Sequence, residues 1–67
     1  MSTKLGNELR RAAGKEGDVR VARRLNEYAR LVDKTVFALG PEGAVNTRAV
    51  RDARKALDDY KAAHAHS

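Results

Sequence analysis

The chain has no cysteine and no tryptophan, one proline, one phenylalanine and two tyrosines. Without cysteine there is no disulfide to staple a small fold and no thiolate to hold zinc. The two histidines, His64 and His66, stand two apart in an Ala-His-Ala-His-Ser ending. That spacing places them on different faces of a helix, so no metal site is expected. Scarce aromatics, none interleaved with the basic residues, argue against recognition of single-stranded RNA by base stacking. No apolar run is long enough to span a bilayer, and none follows Met1 as a secretory signal would require. A cytoplasmic protein with no membrane partner is the expectation.

Catalytic equipment is equally sparse. Ser2 and Ser67 are terminal, and there is no cysteine nucleophile. The Gly40-Pro41-Glu42-Gly43 stretch follows no strand and has no phosphate-binding lysine, so it is not a nucleotide loop. Asp58 and Asp59 are adjacent and diverge by about 100° on a helix, which keeps them from acting as a pair. No enzyme, cofactor or small-molecule substrate is expected.

What remains is a chain of 67 residues, 34% charged, with a net charge of +5. This length makes one domain, residues 1–67, near the lower limit for a self-sufficient core. Much of its 42% hydrophobic content is alanine, which buries little area per residue. The chain must therefore pack its helices closely, or gain burial by oligomerising or docking on a partner. Arginine outnumbers lysine nine to five, and both arginine and alanine have GC-rich codons. That composition points to a high-GC bacterium, such as an actinobacterium, or its phage.

The periodicity predicts an all-α domain of three helices. The first covers residues 3–13, with Leu5, Leu9 and Ala12 on one face. Gly6 in its interior costs about 1 kcal/mol relative to alanine, which makes this helix the least secure. Gly14 and Gly17 bracket a short connection, and Asp18 is suited to cap the next helix. The second helix covers residues 19–39, where Val21, Leu25, Tyr28, Ala29, Val32, Val36 and Leu39 form a stripe roughly 120° wide. The third covers residues 48–64. There Val50, Ala53, Leu57, Tyr60 and His64 alternate spacings of three and four, while Ala49, Ala56 and Ala63 widen one side. Arg54 with Asp58 and Lys55 with Asp59 have the spacing of surface pairs.

The punctuation of residues 39–47 sets the second and third helices antiparallel, as a dominant hairpin. Gly40 suits the position just past a helix end, and Pro41 opposes continuation. Gly40-Pro41-Glu42-Gly43 fits a type I turn. Asn46 or Thr47 then caps the third helix.

Two surfaces are candidate sites. The first is a protein interface made of Leu31, Phe37, Ala49, Ala56 and Tyr60. Leu31 and Phe37 lie off the main stripe of the second helix on different flanks. The favoured place for Phe37 is against the first helix or closing the bottom of the hairpin, with an exposed anchor as the alternative. Small residues on the third helix would let another helix approach. Tyr28 and Tyr60 are expected at the core edge with their hydroxyls toward solvent.

The second surface is basic. Arg10, Arg11, Lys15, Arg20, Arg23 and Arg24 are offset locally only by Glu16 and Asp18. Such a cluster can neutralise phosphates of DNA or RNA. The short glycine-containing connection also has helix-turn-helix spacing, with Arg20, Arg23 and Arg24 where a recognition helix presents its first residues. Arg48, Arg51 and Lys55 form a second strip, at a helix N-terminus where positive charge opposes the macrodipole. The primary functional expectation is a non-enzymatic interaction module that binds itself or another protein. The alternative is a nucleic-acid-binding accessory protein.

Overall fold

The structure, a computed structural model, describes residues 3–65. Three helices, α1 (Lys4–Lys15), α2 (Val19–Ala44) and α3 (Arg48–Ala63), pack around one core. Each starts on a side-chain cap. Thr3 Oγ1 accepts from the Gly6 amide at 2.8 Å, Asp18 Oδ1 from the Arg20 amide at 2.9 Å, and Thr47 Oγ1 from the Val50 amide at 3.4 Å. These bonds satisfy amides that a helix start leaves without intrahelical partners. Of the two candidate caps for α3, Thr47 fills the role and Asn46 does not.

Long-range contacts fix the topology. Thr3 meets Asp33 at one end of α1, while Glu16 at the other lies against the C-terminal end of α3, 4.0 Å from His64. The span 3–16 on α1 therefore matches the span 18–33 on α2, and the two helices run antiparallel side by side. Ala56, Tyr60 and Ala63 of α3 face Val21, Leu25 and Tyr28 of α2, so this pair is antiparallel as well. The result is an up-down-up bundle measuring 36 × 18 × 16 Å. The contact of α2 with α1 is the more extensive of its two.

Two boundaries differ from expectation. Gly14 does not end α1, which runs on to Lys15; the break falls at Glu16, whose extended backbone precedes Gly17. A lone glycine weakens a helix without terminating it. At the other joint, α2 is interrupted at Gly40 (φ 80°, ψ 162°) and resumes for one turn over residues 41–44. This replaces the predicted type I turn. Pro41 pushes the residue before it to extended ψ, and only glycine takes that ψ readily at positive φ. Pro41 itself suits the first position of a helical turn. Its carbonyl accepts from Val45 N–H at 3.2 Å, and the Thr47 amide then bonds the Ala44 carbonyl at 3.0 Å.

The core is lean. Its buried members are Leu9, Ala12, Ala13, Leu25, Ala29, Val32, Ala44, Val50, Ala53 and Leu57, half of them alanine. Only Leu9 and Val32 are large and fully enclosed. Small side chains let the helix backbones approach closely, but each contributes little area removed from water. Leu5, Tyr28, Val36 and Tyr60 pack against the edge of this core, partly exposed. The predicted stripe of α2 is buried at its centre, whereas Val21 and Leu39 at its ends reach solvent. His64 also falls outside the core, its Nδ1 2.9 Å from the Tyr60 carbonyl and its ring against that of Tyr60.

Candidate functional site

The most distinctive polar arrangement ties α1 to α2. Asp33 Oδ1 accepts from both the amide and the hydroxyl of Thr3, at 2.9 and 2.8 Å, and its Oδ2 accepts from Arg10. Arg10 is braced in turn by Asn7 Oδ1 at 3.2 Å. Gly6 makes this possible, because a Cβ there would lie 2.5 Å from Asp33 Oδ1. The Asp33 side chain is only 13% exposed, and burial by itself would raise its pKa. The hydrogen bonds from Arg10 and Thr3, with the Arg10 charge, outweigh that and hold the carboxyl below its ordinary value. Asp33 thus caps the start of α1 from a neighbouring helix. Its role is architectural, and no local pattern around it announces it.

Phe37 is 77% exposed, the most solvent-accessible of the large apolar residues. It neither closes the hairpin nor packs on α1. The reason is geometric: α1 starts beside Asp33, one helical turn short of Phe37. Leu39 (56%) and Val45 (47%) are exposed at the same end of the bundle. Leu39 rests against Gly43, where a Cβ would be 3.3 Å from its own. Of the thirteen residues 35–47 only Glu42 is charged, so the joint itself is poor in charge, with Lys34 and Arg48 flanking it.

The remaining predicted interface residues lie elsewhere. Ala56 and Tyr60 line a groove of about 490 Å³ between α2 and α3, with Val21, Tyr28, Arg24 and Lys55. Leu31, 45% exposed, borders a smaller depression that shares Arg24 and Tyr28 with that groove. Ala49 is half-buried in the bundle. Leu31, Ala56 and Tyr60 therefore border one side of the molecule, and Phe37 occupies a different flank of α2.

The basic cluster is also dispersed. Arg10 is occupied by Asp33. Arg11 and Lys15 border a depression between α1 and α3 with Lys61, Arg24 faces the α2–α3 groove with Lys55, and Arg23 lines a separate hollow with Arg30. Arg20 is exposed at the start of α2. Side-by-side antiparallel packing of α1 and α2 also lacks the wide crossing of a helix-turn-helix pair. On α3 the ion pair that closes is Arg48 with Asp52 at 3.5 Å, rather than Arg54 with Asp58 or Lys55 with Asp59; Arg51 and Lys55 remain exposed.

A second groove, of about 400 Å³, opens at the apolar end. Val32 and Val50 form its floor, Leu5, Val36 and Val45 its walls, and Lys4 and Arg54 its charged rim. Among the described residues no three His, Asp or Glu gather to hold a metal ion; His66, Ser2 and Ser67 lie outside the described residues. No described helix is long and apolar enough to cross a membrane. Compared with protein families, curated proteins and solved structures, the chain matches none.

Proposed function

We propose that this chain is a non-enzymatic protein-interaction module that docks, on a second copy of itself or on another protein, through the apolar end of its bundle. The observation that carries the reading is the exposure of Phe37, with Leu39 and Val45, on an end where residues 35–47 hold a single charge. Exposed large apolar side chains, aromatic ones above all, are favoured anchors of interaction surfaces. The lean core supports the same conclusion. The chain exposes 5086 Å², against about 4,200 Å² for a compact monomer of this mass.

Size-exclusion chromatography with light scattering, run beside binding of an apolar dye, tests the reading. Concentration-dependent self-association or dye binding is expected, and Phe37→Ser should reduce it. A strictly monomeric, cooperatively folded protein that binds no dye would overturn it.

One observation favours a second reading, binding of a nucleic-acid backbone. Among the described residues, only Arg10 and Arg48 of the fourteen Lys and Arg are in ion pairs with carboxylates. Gel shift at two salt concentrations separates the two. Binding that weakens steeply with salt and on Arg23→Ala/Arg24→Ala would support it; no DNA or RNA binding at low salt would remove it.

A further inference from the structure

We propose that the groove between the start of α1, the α2–α3 joint and the first turns of α3 receives an acidic amphipathic segment of a partner protein. This rests on the docking reading above and names the chemistry of what docks. Leu5, Val36 and Val45 wall the groove, and Val32 and Val50 floor it. An apolar side chain entering there would cover carbon already partly in contact with the core.

The sign of the partner follows from the rim. The two charged residues lining the groove, Lys4 and Arg54, are both cations and both exposed, and neither is in an ion pair among the described residues. Asp33, beside the start of α1, is turned onto Thr3 and Arg10, which compensate its charge. Neither α1 nor α3 has an acidic residue in its first turn, and Glu8 and Asp58, one turn further on, make no ion pair with Lys4 or Arg54. A second copy would bring another +5 to a positive rim. An amphipathic helix with leucines on one face and glutamates beside them meets both demands, apolar floor and cationic rim, and its charges would also speed encounter.

The test uses a fluorescein-labelled amphipathic peptide of about four helical turns, leucine on one face and glutamate on the other, and a twin with glutamine for every glutamate. Anisotropy should show the glutamate peptide binding and the glutamine twin binding roughly tenfold more weakly. Lys4→Glu/Arg54→Glu should erase that preference. Arg20→Glu/Arg23→Glu, the same charge change away from the groove, should leave it in place. Amide shifts on titration should concentrate at Leu5, Val45 and Val50. Equal binding of the two peptides, an equal effect of the Arg20/Arg23 variant, or shifts centred elsewhere would each overturn the proposal. If the peptide does not bind while the protein still self-associates through Phe37, the groove assignment fails and the docking reading stands.

Discussion

Asp33 on α2 and Gly6 on α1 approach so closely that a methyl group on Gly6 would stand 2.5 Å from the Asp33 carboxylate oxygen. That oxygen is held by two donors of Thr3, and the other by Arg10, so it cannot swing aside without cost. The glycine that weakens α1 by propensity is thus the one that lets α2 cap it.

Gly6→Ala should therefore destabilise the protein even though alanine is the better helix former. The helical gain of about 1 kcal/mol is set against displaced hydrogen bonds to a charged group, about 1.5–3 kcal/mol. A net loss of about 1 kcal/mol is expected, lowering Tm by roughly 4–8 °C. Gly14→Ala is the matched control, because a Cβ there meets nothing within 4 Å. It should raise stability by about 0.5–1 kcal/mol. Thermal denaturation followed by circular dichroism reads both, and stabilisation by both would refute the close-approach argument.

Asp33→Asn should give a pH-dependent loss. Because the folded-state pKa of Asp33 lies below its ordinary value of 3.8, the folded state favours the ionised form. The stabilisation is then fully present above pH 3.8 and disappears as pH falls through the lower, folded value. At neutral pH the variant should be less stable by about 1–2 kcal/mol. Below pH 3.8 the gap between variant and parent should close. A gap that stays constant from neutral pH to well below 3.8 would mean that the carboxylate charge contributes nothing.

These two residues show where sequence reading stops. Helical periodicity identified the stripe centre Leu25–Ala29–Val32 and the α3 seam Val50–Ala53–Leu57, because burial follows the helical repeat. Local capping chemistry identified Asp18 and narrowed the α3 cap to Asn46 or Thr47, of which Thr47 serves. Gly6 and Asp33 are 27 positions apart, and nothing in either neighbourhood encodes their approach. Phe37 departs from its expected place for a related reason. Periodicity gives the direction of a side chain but not where the neighbouring helix begins, and α1 begins one turn too late to cover it. The lean core was legible from the alanine content; the spread of the arginines over several sides depends on helix azimuths and was not.

Gly40 offers a third test. Its φ of 80° with ψ of 162° lies in a region essentially closed to residues with a side chain. Gly40→Ala meets no steric neighbour within 4 Å, so any penalty is purely conformational. A loss of about 1–3 kcal/mol is expected. Escape into a continuous helix is blocked, since Pro41 would still disfavour helical geometry at residue 40. Wild-type stability in Gly40→Ala, measured by urea denaturation, would show that the joint is not held in this conformation.

The last prediction separates residues that hold the fold from those that serve the surface. Leu9 is fully buried and Phe37 is mostly in water, although phenylalanine is the larger side chain. Leu9→Ala leaves a cavity in a core of which half the buried residues are already alanine, and should cost about 2–5 kcal/mol. In a domain of this size that approaches the whole stability, so the variant should be largely unfolded at 37 °C. Phe37→Ser removes a ring that touches little and should change monomer stability by less than about 0.5 kcal/mol. Chemical denaturation at low protein concentration, where self-association is suppressed, gives the comparison. A large loss in Phe37→Ser under those conditions would place the ring in the fold after all and remove the main support for docking at that end.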